Sequence, residues 1–64
     1  MLNQHDVKTL YKMASECNKH CLYILHNFSD VPEMLEAEKL LHEVQRIVML
    51  KAIALDKQLE STEQ

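Results

Sequence analysis

The sequence contains no glycine, no tryptophan and a single proline, Pro32, and only 5% of its residues are aromatic. Each shortage excludes something. A chain without glycine cannot build the loop whose bare backbone cradles a nucleotide phosphate. With one proline and no glycine there is one credible place to reverse direction, the segment Asn27-Phe28-Ser29-Asp30-Val31-Pro32-Glu33. Long hydrophobic runs are also missing: the longest falls far short of a membrane span. No basic segment followed by an apolar core and a small-residue cleavage site opens the chain. The expectation is a soluble, cytoplasmic protein.

Charge of one sign is scarce too. The net charge is −3 with acidic and basic residues interspersed, which offers no strong electrostatic argument for DNA. There are two cysteines, Cys17 and Cys21. Four residues apart on a helix, their geometry disfavours a disulfide, and two reduced thiols fit a reducing compartment.

What the chain does have is apolar residues, 47% of its 64 positions, beside 27% charged. That is too apolar for a disordered tail. A domain of this length buries only about 60% of the surface its unfolded chain exposes, so self-association or a partner is the expected source of further stability. A multi-domain enzyme or an enclosed active-site cavity is not expected, and neither is catalysis or a cofactor.

The apolar residues repeat with helical spacing. Val7, Leu10, Ala14, Cys17, Cys21, Ile24 and Phe28 alternate in steps of three and four, an unbroken heptad stripe. Asn3 with Asp6 forms an approximate capping box, so a first helix is predicted over residues 4–27. After a turn at 28–31, Asp30 with Glu33 and Pro32 in the first turn marks the start of a second helix over about 32–60. Its inner stripe reads Met34, Ala37, Leu41, Val44, Val48, Ala52, Leu55 and Leu59, with a four-four step at Val48 that interrupts the heptad. Residues 61–64 read as a polar tail. The fold class is therefore all-α: one domain over residues 1–64, a two-helix antiparallel hairpin. The second helix carries a further apolar set, Leu40, Ile47, Leu50, Ile53 and Ala54, and is apolar nearly all round from Ile47 to Leu55. A helix of that kind is buried by more than one neighbour. The hairpin is expected to dimerise into a four-helix bundle, or to dock this patch on another protein.

Few residues point to chemistry. Cys17, His20 and Cys21 are ligand types that zinc prefers, but the chain supplies no second Cys-x-x-Cys or His pair, and both thiols lie on the inner stripe, where cysteine packs as a small hydrophobe. No metal site is expected. His5, His20, His26 and His42 are scattered over different faces, without the nucleophile, base and orienter that catalysis needs. The carboxylates of Glu36, Glu38 and Glu43 read as a solvated flank.

The functional expectation is a small non-enzymatic interaction protein acting stoichiometrically on a protein partner, of inhibitor, adaptor or antirepressor type, as well as on itself as a homodimer. Its predicted contact residues are Ile47, Met49, Leu50, Ile53 and Leu59, rimmed by Arg46 and Lys51. The alternative is an RNA or nucleotide-phosphate binder that uses Lys8, Tyr11, Lys12, Asn18 and Lys19 on the net-positive first helix. In layout such a hairpin dimer is similar to the plasmid RNA-binding hairpin dimers; the likeness covers no specific residue and carries over no site.

Overall fold

A computed structural model describes residues 2–62 as two α-helices, α1 (Gln4–Asn27) and α2 (Pro32–Thr62), packed against each other as a hairpin. Asn3 sits in extended backbone at the N-cap of α1. Its side-chain oxygen accepts from the His5 N–H at 2.9 Å and the Asp6 N–H at 3.3 Å, while Asp6 Oδ2 accepts from the Asn3 N–H at 2.8 Å. This reciprocal capping box satisfies backbone donors that the first turn of a helix leaves open, and the Asp6 charge complements the helix dipole.

At the other end the Phe28 N–H closes on the Ile24 carbonyl at 2.7 Å, and the Asn27 side-chain amide donates to the Tyr23 carbonyl. The reversal then takes four residues. None of the described residues has a positive φ, so this turn needs no left-handed position and the absence of glycine costs it nothing. α2 starts where Asp30, Pro32 and Glu33 place it, but Asp30 is not its cap. The Val31 carbonyl accepts from the Met34 and Leu35 N–H groups, which puts Val31 at the N-cap and Pro32 at the first helical position. There its fixed φ suits the helix and its missing N–H would have been unpaired anyway. α2 also runs through Ser61 and Thr62, two residues of the expected polar tail. Glu63 and Gln64 lie outside the described residues.

The seam on α1 follows the heptad as far as Ile24: Val7, Ala14, Cys21 and Ile24 are buried, with Leu10 and Cys17 half-buried beside them, whereas Phe28, the last residue of the predicted stripe, lies past the helix end and is exposed. On α2 the inner line is different from the one the apolar residues alone predict. Val44 is 45% exposed, whereas Gln45 is half-buried with its Oε1 fully enclosed, and the Glu38 side chain is only 14% exposed. Read with these two polar residues, the seam is Met34, Glu38, Leu41, Gln45, Val48, Ala52, Leu55 and Leu59. Its steps alternate four and three throughout, and the interruption expected at Val48 disappears. The Cys21 thiol donates to the Glu38 carbonyl at 3.6 Å, which fixes the antiparallel register and, two turns on, sets Ala14 level with Gln45. Facing side chains as small as Ala14 and Cys21 leave room for the whole Gln45 side chain, whose Oε1 is enclosed, and for the aliphatic stem of Glu38, whose carboxylate reaches His42 at the edge. Small residues thus decide which side of α2 turns inward.

The result is a rod 51 Å long and only 15 by 14 Å across. Its buried hydrophobic residues, Val7, Ala14, Cys21, Ile24, Ala52 and Leu55, form a single thin line.

Candidate interaction surfaces

In each helix the residue just before a seam position leans to one side and the residue just after it to the other. Because the helices are antiparallel, the "before" sides of both fall on the same face of the hairpin. Met13, before Ala14, therefore lies beside Val44, before Gln45. Leu40, Ile47 and Lys51 share this side of α2 with Val44 by their spacings of four, three and seven, and the half-buried Cys17 of the seam borders it on α1. Leu40 and Ile47 are each 59% exposed, and Met13 and Val44 are close to half exposed. Thr9, Glu16 and His20 edge the α1 side, forming with Lys12, Met13 and Cys17 a shallow open groove. An apolar centre with a polar rim characterises this face.

The opposite face carries the "after" residues: Tyr11, Asn18 and Leu22 on α1, and His42, Arg46, Met49 and Ile53 on α2. Its middle is polar. A second shallow groove lies along α2 there, lined by His42, Glu43, Gln45, Arg46 and Met49. Arg46 Nη2 donates to Glu43 Oε2 at 3.0 Å, with both side chains about three-fifths exposed; solvent screening leaves such a pair worth well under about 1 kcal/mol. His42 Nε2 lies 3.1 Å from Glu38 Oε1, spanning from this face to the seam.

The predicted contact residues therefore do not form one patch. Ile47 and Lys51 belong to the apolar face, Arg46, Met49 and Ile53 to the polar one, and Leu50, 55% exposed, points away from α1 altogether. Leu59 stands half-buried in the seam line with Leu55. Of the alternative set, Lys8, Lys12 and Lys19 are exposed along the back of α1, one line at spacings of four and seven, with Tyr11 and Asn18 on its polar flank. Val44 is the surface residue the sequence pattern misplaced, and regularity was the signal that could have found it, since only a seam through Gln45 keeps the heptad unbroken.

The thiols sit in the seam. Burial pushes the ionisation of Cys21 up, and the neighbouring Glu38 carboxylate and Cys17 thiol push it in the same direction; the group stays a protonated, poorly nucleophilic thiol. Cys17 is half-buried and His20 exposed. Among the described residues no three His, Cys, Asp or Glu side chains come together as a metal site requires, and no helix is long and apolar enough to cross a membrane. Comparison with known proteins found no matching family, no similar curated protein and no similar solved structure.

Proposed function

We propose that this chain is a non-enzymatic helical hairpin that acts stoichiometrically by binding, as an inhibitor, adaptor or antirepressor does, and that its hairpins pair into a four-helix bundle in the cytoplasm. The observation that supports this is the exposure of Leu40, Ile47, Leu50 and Ile53, four large apolar side chains on different sides of α2. A helix that leaves large apolar side chains open on several sides calls for more than one neighbour. An amphipathic helix offering anchors at such spacings fits an apolar groove on another protein. Leu50 and Ile53 are the anchors for the partner, and Arg46 and Lys51 supply orienting charge at the rim.

The second reading, RNA or nucleotide-phosphate capture, has one observation in its favour: the exposed line of Lys8, Lys12 and Lys19 on the back of α1. Affinity capture from native lysate, run in parallel with the parent, Leu50→Glu and a Lys8→Glu, Lys12→Glu, Lys19→Glu triple variant, separates the two. Protein binding predicts a defined protein retained at one-to-one stoichiometry by the parent and the triple variant, insensitive to added salt, and lost with Leu50→Glu. Co-purifying nucleic acid that disappears in the triple variant and falls steeply with salt would reverse the choice.

A further inference from the structure

We infer that a second copy of this chain seats on the face formed by Met13, Leu40, Val44 and Ile47, and that the face carrying Arg46 and Ile53 remains outside the resulting bundle. The inference rests on the self-association proposed above and assigns its surface.

Area is the first argument. A folded monomer of 7.5 kDa is expected to expose about 4,200 Å². This hairpin exposes 5040 Å², an excess of about 800 Å², which is the share each partner contributes to a standard specific interface. Shape supplies the matching figure: one long face of a rod 51 Å by 15 Å offers about 750 Å² for such an interface. A second hairpin is a rod of the same length and width, so it covers that face from end to end.

Chemistry is the second argument, and it chooses between the faces. At the middle of the chosen face Met13 and the half-buried Cys17 on α1 stand beside Leu40, Val44 and Ile47 on α2, with His20 and Lys51, one heptad beyond Met13 and Val44, at opposite ends of that apolar centre. The opposite face would bury Asn18, His42 and the exposed Arg46–Glu43 pair, whose desolvation opposes association. The rim of the chosen face mixes signs, with Lys51 on α2 and, farther along the rod, Glu16 on α1. A two-fold interface must be complementary to itself, and a rim of both signs allows this where a rim of one sign would repel its own copy. Burying Val44 and Ile47 this way also gives the thin seam a second layer, the arrangement of a four-helix bundle core.

Sedimentation equilibrium of the parent from 1 to 200 µM, alongside Val44→Glu, Ile47→Glu and Arg46→Glu, tests the assignment. The parent is expected to be a dimer, Val44→Glu and Ile47→Glu to weaken it at least about 100-fold because a carboxylate is forced into an apolar contact, and Arg46→Glu to shift it no more than about threefold. Should the glutamate variants lose their helical circular dichroism, isotope-filtered NMR on mixed labelled and unlabelled parent decides instead. Intermolecular contacts among the Met13, Leu40, Val44 and Ile47 methyl groups are expected. Contacts running from Ile53 and Met49, or dissociation by Arg46→Glu alone, would overturn the face while leaving self-association standing. A parent that stays monomeric to 200 µM would overturn the second copy as occupant, and the capture experiment with Leu50→Glu would still report separately on binding to another protein.

Discussion

The two long faces of this hairpin are made by the same two helices and differ by a rotation of two residue positions. On one, Met13, Leu40, Val44 and Ile47 form an apolar centre edged by Glu16, His20 and Lys51; on the other, Asn18, His42, Arg46 and Glu43 interrupt Tyr11, Met49 and Ile53. The pattern of α1 marks its buried side, but that of α2 does not assign the two faces in advance, because α2 is apolar on several sides. The contrast arises from the seam. Once Gln45 and Glu38 turn inward against Ala14 and Cys21, Val44 and Leu40 are carried out to one side, and His42 and Arg46 to the other.

The largest expected effect comes from attacking the seam that separates the faces. Leu55→Ala or Ile24→Ala removes a buried aliphatic side chain from a core with few others, and should cost about 2–5 kcal/mol. In a hairpin of this size that is enough to abolish the cooperative melt followed by circular dichroism at 222 nm. A rise of the melting temperature in either variant would show that the helices meet along another line.

Next in size is the polar residue within the seam. Gln45 Oε1 is enclosed and, among the described residues, has no hydrogen-bond partner, so Gln45→Leu should stabilise the hairpin by about 1–3 kcal/mol in urea unfolding. The gain should come with looser definition of register and association, since a buried polar group at a seam position is a known device for specifying both. Destabilisation by Gln45→Leu would mean that the amide holds the two faces apart through contacts of its own.

A smaller effect is expected of pH. The Cys21 thiol ionises at higher pH in the folded hairpin than in the unfolded chain, chiefly through burial. Its contribution is therefore complete below the ordinary thiol range and is lost as pH rises through that range toward the folded value. Urea midpoints should fall on the alkaline side for the parent and flatten there in Cys21→Ala. Alkylation followed by mass spectrometry should likewise modify half-buried Cys17 well before Cys21.

The smallest effect belongs to the surface ion pair of the polar face. Arg46→Ala should move stability by no more than about 0.5 kcal/mol, and added salt should erase even that. A larger loss would indicate that Arg46 is buried by a neighbour, and hence that the polar face is the one covered.

Much of this architecture is legible in the residues alone. Asn3 and Asp6 announce the start of α1, the Val7 to Ile24 spacing announces its buried side, and Pro32 marks the first turn of α2, because capping and helical periodicity act over a few neighbouring residues. The inner side of α2 is not legible in the same way. Ala37 and Val44 compete there with Glu38 and Gln45, and a count of apolar residues favours the first pair. Hydrophobicity scored residue by residue takes no account of what stands opposite.

The sequence by itself thus determined two helices, one reversal and the buried side of α1, all consequences of local backbone chemistry and a regular apolar repeat. Only the tertiary structure decided which way α2 rolls and which apolar residues stay outside. That choice depends on the fit between side chains far apart in the chain: Ala14 and Cys21 are small enough to admit the stems of Gln45 and Glu38, and close packing along an unbroken seam outweighs the pull of Val44 toward the core.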